Sequence, residues 1–321
     1  MRTVPVFGVK PYRASAPFRE AKVLALIAPA MRTALLAAAV LLAGCSPRTL
    51  LLQQAAQGLA GQGLGEEDDL VLAREAGAFY LKLSESVLRE TPGHLPLAET
   101  VAGGFTQYAY AFVAQPADEL EPLDARAAQR LRQRAARLYW RAHGHAMAAL
   151  EARQPGFARA LAVPPSGSAR QALRLESQEV AVAYWAAASW GAYIALSTDK
   201  PEVVADLPLA QRLASLAWQR EPDHGQGALA TLMGNFEAAS PTGAKAQALA
   251  YFDRAEAAAG GRSAAVYLAR AEALALPAGD RAAFETLLRK AVEAAGERRD
   301  LSNQVMRARA QWLLTRLDDL F

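Results

Sequence analysis

The residue whose type and setting promise covalent chemistry is Cys45, the only cysteine in the chain. It closes the run Leu42-Ala43-Gly44-Cys45, a lipobox in which the cysteine thiol receives a diacylglycerol before the chain is cut in front of it. Upstream, Met31-Arg32-Thr33 supplies a basic start and Ala34 to Gly44 an apolar stretch, the layout of a secretory signal peptide. A spanning helix needs about 20 apolar residues, and Pro29 and Arg32 stop any extension of this one. We therefore expect a leader over 1–44 with the true start at Met31. Cys45 becomes the lipidated first residue of the mature chain.

Other reactive constellations are missing. The four histidines are His94, His143, His145 and His224. His143 and His145 stand two apart on a helix and point in different directions, so they do not chelate one metal. HExxH, CxxC and EF-hand patterns are absent. Ser166-Gly167-Ser168 follows two prolines in a loop without the strand-turn-helix a nucleophile elbow requires. Gly243-Ala244-Lys245 lacks the upstream glycine of a phosphate-binding loop. The expectation is a protein with no catalytic residues, no metal and no cofactor.

The aromatic residues offer binding chemistry instead. Tyr184, Trp185, Trp190 and Tyr193 lie within ten residues of one helix, separated by Ala and Ser. Such a helix is either buried all round or forms a wall of an apolar ligand tunnel, where indole and phenol add a polar handle to apolar area. Trp185 and Trp190 are the candidates for that wall. Asn303, an amide in an otherwise apolar stretch, is the third candidate: it either caps a helix or orients a ligand. Gly103-Gly104, in a neighbouring helix, permits close approach of a helix or a ligand.

These residues need elements to hold them. Without its leader the chain has 277 residues, and the six Lys/Arg and one Glu lost leave 29 basic against 31 acidic residues. A net charge of −2 with no basic stripe speaks against a nucleic-acid partner. Gly58 to Gly65 holds four glycines, so residues 45–65 read as a flexible tether. From 66 to 321 the pattern is helical, with no alternating strand signal. Glu66-Glu67-Asp68-Asp69 suits a helix start, followed by an inward face of Leu70, Ala73, Gly77, Tyr80, Ser84 and Val87. Helices are expected over 95–114, 123–153, 169–196 and 302–320, with shorter ones between Pro201, Pro222, Pro241 and Gly260-Gly261.

One spacing recurs: Ala210, Ala214, Ala217; Ala248, Phe252, Ala255; Phe284, Leu288, Ala291; and Ala135, Tyr139, Ala142. Small residues flanking a larger one at this spacing mark the second helix of a tetratricopeptide-type hairpin. Each hairpin buries its face only by stacking on the next. The fold class expected is all-α, a single domain of stacked helical hairpins in a TPR-like array.

Several longer stretches resemble the T component (TatT) lipoproteins of TRAP transporters. They are Tyr184 to Ser197 with Leu207-Pro208, Glu221 to Ala228, and Ala250-Tyr251-Phe252-Asp253-Arg254-Ala255. At the C-terminus they continue with Leu301-Ser302-Asn303, Arg309-Ala310-x-Trp312-Leu313-Leu314 and Asp318-Asp319-Leu320-Phe321. The resemblance covers most of the mature chain. It implies a lipid-anchored, TPR-like periplasmic homotrimer that pairs with the transporter's solute-binding protein and has a ligand route through each subunit. The ligand expected is a small organic molecule, carboxylate or apolar. Two departures stand out: a single glycine follows Met233-Gly234-Asn235-Phe236, and His143-Gly144-His145 interrupts a helix. Ser46 lacks the aspartate that retains lipoproteins in the inner membrane, which favours the outer membrane. The rival reading is an envelope scaffold whose concave face binds a peptide or another lipoprotein; a third is a lipid carrier.

Overall fold

The computed structural model describes residues 47–60, 67–163 and 173–321; Cys45, the leader and most of the tether's glycines lie outside them. Among the described residues the regular structure is helical throughout, with no strand, and no helix is long and apolar enough to cross a membrane. Residues 52–321 form one compact unit; a second, 1–51, is described only from 47.

Helix α1 (Pro47–Ala60) occupies part of the expected tether. Its final carbonyls are satisfied by neighbours: Leu59 O accepts from the Tyr80 hydroxyl, and Ala60 O from Thr100 Oγ1 at 3.2 Å. Helix α2 (Leu70–Glu90) starts where the acidic run predicts, because Asp69 accepts from the Val71 and Leu72 amides at 2.9 and 3.1 Å. That carboxylate occupies the N-cap and faces the positive end of the dipole. The buried line is Ala73, Gly77, Leu81, Ser84 and Leu88. It is rotated by one residue from the expected face at Tyr80 and Val87. Leu81 is turned toward Gly104, where a Cβ would stand 2.4 Å from its Cδ2.

Within α2, Glu85 is enclosed with its carboxylate surrounded by cations. It accepts from Arg141 Nε and Lys82 Nζ at 2.5 Å, from His145 Nε2 at 2.7 Å and from Arg89 at 3.2 Å. Burial alone would raise this carboxyl, but the hydrogen bonds from Arg141, Lys82 and His145 outweigh it and hold the group far below the usual carboxylate range.

Helix α3 (Leu95–Ala109) passes through a π-turn at Tyr110–Ala114 into α4 (Gln115–Leu120). A second π-turn, Ala271–Ala275, follows α12 (Ala264–Arg270). Each lies just before a proline, Pro116 or Pro277. A proline ring clashes with the carbonyl four residues back and offers no N–H, and widening the turn relieves both problems.

Helix α5 (Ala125–Arg153), capped by Asp124, runs unbroken through His143-Gly144-His145, so the expected interruption is absent. Its outward-facing residues carry it past one glycine. After α6 (Phe157–Ala162), the long helix expected from 169 begins only at Val180. A short 3-10 turn, Ser177–Glu179, with a Glu176/Glu179 capping box, precedes it. This helix, α7 (Val180–Ala195), is the centre of the molecule and packs against α3, α5 and α9 (Leu207–Arg220).

A four-residue turn, α8 (Pro201–Val204), leads into α9. Then come α10 (Ala228–Ala239) against α11 (Lys245–Ala259), and α12 against α13 (Arg281–Glu297). The chain ends in α14 (Leu301–Thr315) and the short α15 (Leu317–Leu320), broken at Arg316 where one helix was expected. All twelve positions of the recurring spacing are buried. The αL glycine Gly227, at φ 95°, lets α10 start beneath α11: a Cβ there would lie 2.5 Å from the Ala255 carbonyl. Finally α14 returns to touch α2, and Arg299 pairs with Asp68 at 2.9 Å.

Candidate functional site

Two partly open chambers lie along α14. One chamber of about 250 Å³ lies between α2, α3, the first π-turn, α7 and α14, walled by Leu81, Gly103, Phe112, Trp185 and Val305. A second, of about 560 Å³, lies between α10, α12 and the second π-turn, where Thr231, Asn235, Leu268 and Glu272 face it. Tyr110 and Met306 line both. These two side chains, one from the first π-turn and one from α14, stand between the chambers.

The sequence candidates separate on this geometry. Trp185 is in the wall of the first chamber, seated on Gly103, where a Cβ would approach the indole to 2.7 Å. The glycine pair thus serves helix packing and chamber wall together. Trp190 lines neither chamber; it is buried against the His143 ring at 4.4 Å. Asn303 lines neither as well. Its Oδ1 accepts from the Ala264 amide at 3.0 Å, and its Nδ2 donates to the carbonyls of Arg298 and Arg262 at 3.0 and 3.3 Å. It caps α12, a neighbouring helix, while its own helix is capped by Asp300 at 2.8 Å. Cys45 lies outside the described residues.

Charge is concentrated beside the second chamber. Arg309 of α14 donates to Glu272 Oε1 through Nε at 3.1 Å and Nη2 at 3.0 Å. Its Nη1 lies 2.9 Å from Asp118 Oδ2 without hydrogen-bond geometry. Asp118 in turn accepts from Arg132, which also holds Glu121. Burial raises the Glu272 carboxyl, and the Arg309 charge offsets this only in part. The Tyr110 phenol is pushed far up by burial first and then by Glu272. Glu99, which faces the first chamber, is also raised by burial.

Sequence reasoning did not single out Tyr110, Glu272, Met306 or Arg309 as site residues. Glu272 left a signal: it is the only acidic residue in the apolar stretch from Ala264 to Leu276. The other three are brought together by tertiary packing and carry no local mark. The described residues contain no group of His, Cys, Asp or Glu arranged to hold a metal ion.

Residues 66–321 match the family model described as TRAP transporter T-component. The chain belongs to this family. The match spans α2 to α15, and it points to a transport accessory role in the cell envelope and away from catalysis. A curated relative from Treponema pallidum (strain Nichols), named only as an uncharacterized protein, is 29% identical over 177 residues. That alignment covers 55% of each chain, so this chain matches about half the length of its relative.

Proposed function

We propose that this protein is the lipid-anchored periplasmic subunit of a TRAP-type transporter, docking a solute-binding protein and assisting transfer of a small organic ligand. The observation that carries the reading is the family match across 66–321 together with two adjacent chambers in that same body. Cys45 anchors the chain through its acyl chains, and the outer membrane is the compartment that Ser46 favours. The subunits assemble as a homotrimer. Trp185 forms part of the ligand wall. Trp190 and Asn303 act behind it, Trp190 by packing α7 against α5 and Asn303 by fixing α12 beside the second chamber.

The test is sedimentation of the purified protein with the solute-binding protein encoded beside it. A co-sedimenting complex supports docking. Independent sedimentation of the two at high concentration overturns it and favours a scaffold with another partner.

A further inference from the structure

The two chambers differ in chemistry, and neither carries a cation in its wall: no Lys or Arg is among the described residues that line them. Arg309 is close by, but Glu272 and Asp118 hold it between them. Along the row Glu121, Arg132, Asp118, Arg309, Glu272 three carboxylates alternate with two guanidiniums. The excess charge is negative, and the row ends at the chamber in a carboxylate. Both bonds from Arg309 fall on Glu272 Oε1. The second oxygen, Oε2, makes no hydrogen bond among the described residues, and Glu272 faces the chamber beside Asn235. The rest of this chamber's wall is largely apolar, with Leu268, Ala269, Pro277 and Met306.

We propose that the second chamber binds an organic amine, with its ammonium head on Glu272 Oε2 and the Asn235 amide oxygen and its apolar body against Leu268 and Met306. This rests on the reading of the chambers as a ligand site, and narrows it. A carboxylate ligand would meet Glu272 with no free cation to receive it. An ammonium group gains a charge-assisted hydrogen bond of the kind worth about 1.5–3 kcal/mol.

The test compares three probes of one shape, phenethylammonium, hydrocinnamate and phenethyl alcohol. They are titrated against the full chain in lipid nanodiscs, with empty nanodiscs as reference, by calorimetry. Phenethylammonium binds about tenfold or more tightly than hydrocinnamate, the factor expected for one charge-assisted bond. Glu272→Gln removes that preference; Arg309 keeps Asp118 in this variant, and its melting curve shows whether the fold survives. Asn235→Leu, at an exposed position, lowers the preference without that risk. Equal binding of all three probes, or a preference unchanged in Glu272→Gln, overturns the amine assignment alone. A preference lost in Glu99→Gln and kept in Glu272→Gln also overturns it, by placing the head in the first chamber. If no probe binds, the chambers are not a ligand site and both readings of them fall, while the docking test stands apart.

Discussion

At the scale of single residues, two side chains show what packing adds to pattern. Glu85 is an unremarkable surface residue in the sequence, one of many acids among arginines. In the structure it is a buried anion held by the cations of Lys82, Arg89 and Arg141 and by the His145 ring. Its carboxyl is depressed in the folded state, so its stabilising contribution is complete above the unfolded value, about 4.3. That contribution is lost as pH falls from there through the folded value. Urea unfolding midpoints measured between neutral and acid pH therefore drop in the wild type once carboxyls begin to titrate. Glu85→Gln starts lower at neutral pH and falls less steeply. A parallel pair of curves would contradict this account of the cluster. Gly103 sets two effects against each other. Alanine gains about 1 kcal/mol of helix propensity, but its Cβ would press on three indole atoms of Trp185 at 2.7–3.0 Å, an overpacking cost of about 1–3 kcal/mol. Overpacking wins: Gly103→Ala lowers the melting temperature and shifts Trp185 emission. A rise in melting temperature would mean that the indole moves aside freely.

At the scale of elements, the caps and prolines decide what the periodicity leaves open. Asn303→Ala strips α12 of the bond to the Ala264 amide and orphans a buried donor, costing about 2 kcal/mol. Asp300→Ala removes an ordinary N-cap at about 1 kcal/mol. Chemical denaturation of both variants checks the order; a larger loss for Asp300→Ala would show that the amide is dispensable. The helical character of the chain, the start at Asp69 and the end of α5 at Arg153 were legible, because caps and inward spacing are local signals. The π-turns were not, although Pro116 and Pro277 mark them, since a proline equally announces a helix end. The start of α7 at Val180 was missed because Ala172, Leu173 and Leu175 carry apolar spacing back toward Ala169, and the Glu176/Glu179 capping box that marks the start sits within that run. Trp185 was found as a wall residue because bulky aromatics between alanines stand out. Tyr110, Met306 and Arg309 reach the site from distant elements, and a linear pattern does not carry that proximity.

At the scale of the whole molecule, the fold matters through the return of α14 to α2. That contact puts α14 in the wall of both chambers, and it brings Met306 and Arg309 to the π-turn that carries Tyr110. Family membership gives this body its setting in a transport system, and the lipid anchor proposed at Cys45 would hold it at a membrane surface facing the periplasm. The central claim is that the body works by meeting a solute-binding protein. The measurement that tests it most directly is affinity purification from native membranes after mild cross-linking, with partners identified by mass spectrometry. The account predicts recovery of a periplasmic solute-binding protein as the principal cross-linked partner. Recovery of envelope scaffold or assembly proteins, with no solute-binding protein among them, would contradict it.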